Sequence, residues 1–138
     1  MDTEEKLAFP GRFDSLAAIS EFVGQAARKA CLDEQAVYQV QLAVDEACSN
    51  IIEHAYGGEG HGDIEIACRV NSVGLTVILR DSGRCFEPDS VPPPNLHASL
   101  ENRDLGGLGL HLIYQVMDEV HFEFRPDSGN VLTMVKRK

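Results

Sequence analysis

Several things are scarce or missing in this 138-residue sequence, and each absence removes a class of function. Positive charge is short: 12 Lys and Arg stand against 22 Asp and Glu, a formal charge of −10. That is the wrong sign for a surface that must displace counterions from phosphodiesters, so direct nucleic-acid binding is not expected. No apolar run approaches the roughly 18 to 20 residues that a membrane span needs, and no membrane partner is expected. Cysteine is limited to Cys31, Cys48, Cys68 and Cys85, none in a C-x-x-C pair. Structural zinc and dithiol chemistry drop out, and the four read as small apolar fillers in a reduced protein. The charged start, Met1 to Lys6, has no apolar signal core, so a cytoplasmic location is expected. Two common phosphate signatures are also missing: neither G-x-x-x-x-G-K-[ST] nor G-x-G-x-x-G occurs.

What remains has the make-up of an ordinary globular protein, 43% hydrophobic and 25% charged, of a size that fits one domain over 1–138. Leu16, Ile19, Phe22, Val23, Ala26, Ala27 and Ala30 recur at helical spacing, which predicts a helix from about Asp14 to about Ala30. If that stripe is wider than the core needs, Leu16, Ile19, Phe22 and Val23 leave room for a subunit interface. A second helix starts after Asp33 as N-cap and runs through Val37, Val40, Val44, Ala47, Ile51 and Ala55 to the break at Gly57-Gly58. The period then changes to two. Ile64, Ile66, Cys68 and Val70 form one strand and Leu75, Val77 and Leu79 another, joined at Asn71 to Gly74 as an antiparallel hairpin. About 88–107 shows no usable periodicity and reads as a lid loop. A helix from about Leu108 to about Met117, a strand at Val120 to Arg125, a turn over Pro126 to Asn130 and a last strand to Lys136 complete the chain. With a short strand at Leu7 to Phe9 in front, this order predicts an α+β fold. Its form is a two-layer α/β sandwich, with helices on one face of a mixed, mainly antiparallel sheet.

Three groups of residues could do chemistry. Glu46 and Asn50 lie one turn apart on one face of the second helix, with His54 a further turn along. That spacing fits a solvated stripe. It equally fits a neutral amide oxygen suited to Mg²⁺ at Asn50 and an acceptor for a hydroxyl proton at Glu46. Asp81-Ser82-Gly83-Arg84-Cys85-Phe86-Glu87-Pro88 leaves the sheet in what is either a plain tight turn or a ligand edge. In the second case an ionised Asp81 would accept from an exocyclic amine such as that of adenine, and Gly83 would let a flat ring lie against the backbone. Gly106-Gly107-Leu108-Gly109-Leu110 runs glycines into a helix, an anion cradle or a simple hinge. Arg103 stands just before it, within reach of a terminal phosphate or merely solvated.

In this order the three groups resemble the motifs of the GHKL ATPases, the superfamily of gyrase, heat-shock chaperone, histidine kinase and mismatch-repair ATPase domains. Asp45 to Tyr56 is similar to the N box, Asp81 to Pro88 to the first glycine box and Gly106 to Leu110 to the second. D-E-A-x-x-N-x-x-x-H-A-Y, the short lid and the closing Met117-Asp118-Glu119-Val120 and Gly129 to Met134 resemble the anti-sigma-factor serine kinase branch. The resemblance implies a Bergerat-type ATP-binding fold and the cofactors ATP and Mg²⁺. It implies Asn50 as metal ligand, Glu46 as general base, Asp81 on the adenine amine, and Gly83, Gly106, Gly107 and Gly109 shaping the pocket. It further implies a homodimer that binds a sigma factor and phosphorylates a serine of a STAS-domain anti-sigma factor antagonist. The alternative is a nucleotide-gated partner clamp that transfers nothing, which needs Asp81 and the glycines but not Glu46.

Overall fold

The computed structural model describes residues 2–84, 105–125 and 127–138, with the backbone alone for 105–110. The strands are β1 (Thr3–Pro10), β2 (Asp63–Val70), β3 (Gly74–Asp81), β4 (Glu119–Arg125) and β5 (Gly129–Arg137). The helices are α1 (Leu16–Lys29), α2 (Glu34–Asn50) and α3 (Leu105–Val116). The strand order is β1-β2-β3-β5-β4, and all four pairings are antiparallel. The expected α+β class and mainly antiparallel sheet are therefore present, without a parallel pair among the described residues.

The alternation read from the strands decides which face the helices cover. Ile64, Ile66 and Cys68 of β2, Leu75, Val77 and Leu79 of β3, and Leu132 and Met134 of β5 join the buried helix residues in one core. The opposite face has only a small apolar centre, Ala67, Ile78 and Val131. Charge pairs lie on that face, with Glu65 Oε1 between Lys6 Nζ at 3.8 Å and Arg80 Nε at 4.0 Å. α2 packs between α1 and α3 and so forms the middle of the helical layer. Its expected apolar positions Val37, Val40, Val44, Ala47, Ile51 and Ala55 are all buried. Asp33 caps it as the sequence predicts, accepting a 2.8 Å hydrogen bond from Ala36 N. In α1, Ile19 and Val23 are fully used by the core, which leaves half-buried Leu16 and Phe22 of the four residues considered for an interface.

Three boundaries differ from the sequence reading. β1 is much longer than Leu7 to Phe9, because all eight of its residues pair with β2. α3 begins at Leu105, so Gly106, Gly107 and Gly109 lie inside its first turns instead of before it. The second helix does not stay α to Ala55: Ile51–Ala55 is a π-helical turn, with Tyr56 N bonded to Ile51 O at 2.9 Å. Most of the expected lid, with Cys85 and Arg103, lies outside the described residues.

The cysteines also divide. Cys48 and Cys68 are buried as expected, and burial pushes the Cys68 thiol up to about 12. Cys31, by contrast, is exposed and has φ +63°. It ends α1 in a Schellman motif: Cys31 N bonds Arg28 O at 3.0 Å and Leu32 N bonds Ala27 O at 3.2 Å. A side chain with a Cβ is disfavoured there by about 1 kcal/mol or more. Cys31→Gly is therefore expected to stabilise the protein by about 1 kcal/mol, read as a higher denaturation midpoint with an unchanged m-value.

Candidate functional site

The middle of the helical layer, with β3, β5 and β4, lines a cleft. Its walls are mainly apolar: Ala47, Ile51 and Ala55 from α2 and the π turn, Ile113 from α3, Phe122 from β4 and Leu132 from β5. Into it face a few polar groups, Asn50, Asp81 and Asn130 among them. A concave apolar site with a few convergent polar groups is the usual form of a small-molecule pocket. The sequence assigned Asn50 and Asp81 to separate elements, and the fold brings both to this cleft.

Asp81 closes β3 opposite Asn130 of β5 and is 5% exposed. Its Oδ1 accepts from Gly83 N at 2.9 Å and from Asn130 Nδ2 at 2.8 Å. Oδ2 is left with no donor among the described residues, on a side chain that lines the cleft. Burial raises the carboxyl above its ordinary value, and the Asn130 and Gly83 hydrogen bonds oppose the rise. The backbone is equally tight here. A Cβ on Gly129, at φ +89°, would lie 2.1 Å from Asp81 O, so only glycine allows β5 to start against this carbonyl.

The π turn builds the other side of the same segment. The carbonyls at the end of the helix have no partner within it, and the residues after Asp81 use them. Arg84 N donates to Ala55 O at 2.9 Å and Arg84 Nε to His54 O at 2.7 Å. Asn130 Nδ2 also reaches Arg84 O at 2.8 Å. Gly83 sits against the turn itself, since a Cβ there would meet Ala55 O at 2.5 Å. Its lack of a side chain thus serves close backbone approach to Ala55. Tyr56, directly after the turn, accepts a 3.0 Å hydrogen bond from Ser82 N.

Asn50, the last residue of α2, is 8% exposed, and its buried Nδ2 has no hydrogen-bond partner among the described residues. A buried N–H donor left unpaired costs about 1 to 3 kcal/mol, and on this cleft wall an acceptor from a ligand or a water completes it. Glu46, one turn earlier, is half-buried. Burial raises its carboxyl, and the neighbouring Asp45 and Glu53 charges push it further. That shift moves a carboxylate toward the range in which it takes up a proton near neutrality. His54, a further turn along, is 41% exposed with Nε2 3.9 Å from a Glu53 carboxylate oxygen. Among the described residues no group of three or more His, Cys, Asp or Glu gathers as a metal cage. Mg²⁺ commonly takes one or two protein oxygens and fills its shell with phosphates and water; the side-chain oxygen of Asn50 is a ligand of that kind, whereas its buried Nδ2 is an N–H donor that calls for an acceptor such as an anionic oxygen.

α3 presents its N-terminal turn with Gly106 and Gly107 in it, where the first four N–H groups of a helix have no intrahelical partner. Arg103 lies outside the described residues. Three contributors, Asn130, Tyr56 and Arg84, lie within motifs quoted from the sequence but were given no individual part there. Asn130 reads as a turn residue until β5 is known to pair with β3, which puts it opposite Asp81. No local signal announces that pairing.

The raised Asp81 carboxyl has a consequence for stability. The folded protein holds this proton more tightly than the unfolded chain. The stability of the protonated form is fully present below the ordinary value of 3.8 and is lost as pH rises through the higher folded value. Asp81→Asn keeps an oxygen for both donors and removes the buried charge. In thermal scans from about pH 4 to 7 the variant is expected to match the wild-type protein at the acid end and to melt at the same or a higher temperature at pH 7. A loss of stability at pH 7 greater than that at pH 4 contradicts this account of the site.

Comparison with known proteins identifies the family. The family model described as the histidine kinase-like ATPase domain matches residues 9–136. A serine-protein kinase RsbW of Halalkalibacterium halodurans is 30% identical over 135 residues, 95% of this chain and 81% of its own. Its namesake in Bacillus pumilus is 34% identical over 119 residues, 82% of this chain and 72% of its own. For that of Bacillus velezensis the figures are 33% over 104 residues, 72% and 64%. With a family model spanning nearly all of its length and such relatives beside it, the chain belongs to the histidine kinase-like ATPase domain family.

Proposed function

We propose that this chain is an ATP-dependent serine-protein kinase of the cytoplasm. Its protein substrate is a STAS-domain anti-sigma factor antagonist, and its second partner is a sigma factor that it sequesters. The observation behind the reading is a pair of polar groups in one apolar cleft: among the described residues Asn50 Nδ2 has no acceptor and Asp81 Oδ2 has no donor. Serine-protein kinases among the relatives support the reaction class. A homodimer is part of the same proposal, with half-buried Leu16 and Phe22 on α1 as its apolar contribution.

The residues divide the work of phosphoryl transfer, which asks mainly for positioning and charge stabilisation. Asp81 Oδ2 accepts the adenine amine, since an ionised carboxylate is an acceptor only. The apolar walls exclude water from the base, which strengthens that hydrogen bond. Asn50 would hold Mg²⁺, which when bound screens the charge of the phosphates. The free N–H groups of the first turn of α3 suit the same anion. Glu46 takes the proton of the incoming serine hydroxyl, and its raised carboxyl suits that task at neutral pH.

The test has two readouts. ATP at about a hundred times its dissociation constant is expected to add about 2.7 kcal/mol, seen as a rise of several degrees in melting temperature that Mg²⁺ enhances. Glu46→Gln is expected to keep that rise and to lose at least about a hundredfold in phosphoserine formation on the antagonist. Transfer at the wild-type rate by Glu46→Gln removes the general base. A full ATP shift with no phosphoserine from the wild-type protein, in the presence of a sigma factor and a STAS-domain antagonist that it binds, leaves the partner clamp as the function.

A further inference from the structure

Tyr56 makes more contacts than an aromatic residue at the end of a helix needs. Its hydroxyl donates to Asp63 O at 2.5 Å, accepts from Ser82 N at 3.0 Å and lies 3.4 Å from Ser82 Oγ. Asp63 opens β2 and Ser82 follows β3, so one phenol joins the start of one strand to the exit of its neighbour. Room for the ring is made by glycines. A Cβ on Gly62 would fall 2.5 Å from the ring carbon Cε1, and one on Gly11 would touch the ring at 3.4 Å. Gly11 N in turn donates to Gly62 O at 2.8 Å, which holds the floor beneath the ring in place.

The π turn decides where this ring stands. Tyr56 N bonds Ile51 O, five residues back, whereas a continued α-helix would bond Ile52 O. The extra residue in the turn rotates Tyr56 relative to Asn50 and delivers its hydroxyl to the backbone beside Asp81. Asp81 needs such a hold. Its Oδ1 bond from Gly83 N exists only while residues 81–83 keep their turn, and Ser82 is the middle of that turn. The Ser82 N–H has one described acceptor, the Tyr56 hydroxyl.

We propose that Tyr56 is a positioning residue for nucleobase selection: its hydroxyl fixes the Ser82 backbone and thereby aims the free Asp81 oxygen at the exocyclic amine of adenine. This rests on the reading of Asp81 as the base acceptor. It adds that discrimination between purines is set from the π turn, by the same stretch of chain that carries Asn50. Tyr56 touches no reacting atom.

Inosine triphosphate is the informative probe, because it carries a carbonyl oxygen where adenosine triphosphate carries the amine. Dissociation constants for both nucleotides would be measured by calorimetry on the full chain and on Tyr56→Phe, which keeps the ring and loses the hydroxyl. The wild-type protein is expected to prefer ATP. In Tyr56→Phe the ATP constant is expected to rise about tenfold, the loss of about one well-aimed hydrogen bond, while the inosine constant stays within about twofold. Gly62→Ala retains the hydroxyl but displaces the ring, and the same loss of preference is expected from it, which keeps the test open if Tyr56→Phe does not fold. Equal weakening of both nucleotides overturns the proposal in favour of a purely structural residue, and so does an unchanged preference in both variants. A wild-type protein that does not distinguish the two nucleotides overturns the base-reading role of Asp81 itself, and this proposal with it.

Discussion

A carboxylate buried on an apolar wall is the constraint around which this site is built. Asp81 is almost fully enclosed, and an ionised group in that position is tolerated only when hydrogen-bond donors face it. One donor is the Gly83 N–H of its own turn and the other is the Asn130 amide from the adjoining strand. Each depends on further structure. The turn is held by the π turn through Arg84 and by Tyr56, and Asn130 is held by the register of β5 on β3. Glycine is required at 83 and 129 because the chain segments approach too closely there for any side chain.

The last carbonyls of a helix have no partner within it. At the end of the π turn Ile51–Ala55, His54 O and Ala55 O accept from Arg84, so that the helix end and the strand end become one frame. Asn50 stands just before this irregular turn with its amide nitrogen unpaired. Among the described residues Asp81 has no donor at one oxygen and the Asn50 Nδ2 has no acceptor, so the cleft offers an acceptor on one side and a donor on the other. A ligand offering an amine at one end and anionic oxygens at the other satisfies both. A purine nucleotide has that polarity. Glu46 is distinct from these two: it is half-exposed, raised by burial and by two acidic neighbours, and suited to moving a proton.

Much of this was legible in the residues themselves. The spacing of apolar positions marked α1, α2 and the β2–β3 hairpin, because a half-buried helix and a half-buried strand each write their period into the chain. Asp33 was readable as a cap, since an N-cap acts on its own next residues. Local spacing singled out Glu46, Asn50 and Asp81 as candidates only, and the order of the motifs pointed to the family. The failures share a cause. The length of β1 depends on β2 as partner, the π turn at Ile51–Ala55 meets Arg84 from 30 positions away, and the exposure of Cys31 depends on where α1 ends on the core.

The sequence by itself therefore determined the elements, the buried face of each and the residue types available for nucleotide chemistry, because these follow from contacts within a few residues. Only the tertiary structure decided which of them meet. The pairing of β5 between β3 and β4 sets Asn130 against Asp81, across 49 positions of sequence. The seat of the Tyr56 ring over Gly62 and Gly11 brings a hydroxyl to Ser82 from 26 positions away. Hydrogen bonds between residues so far apart leave no periodic mark in a chain, since they depend on how whole elements are docked and on the space left between them.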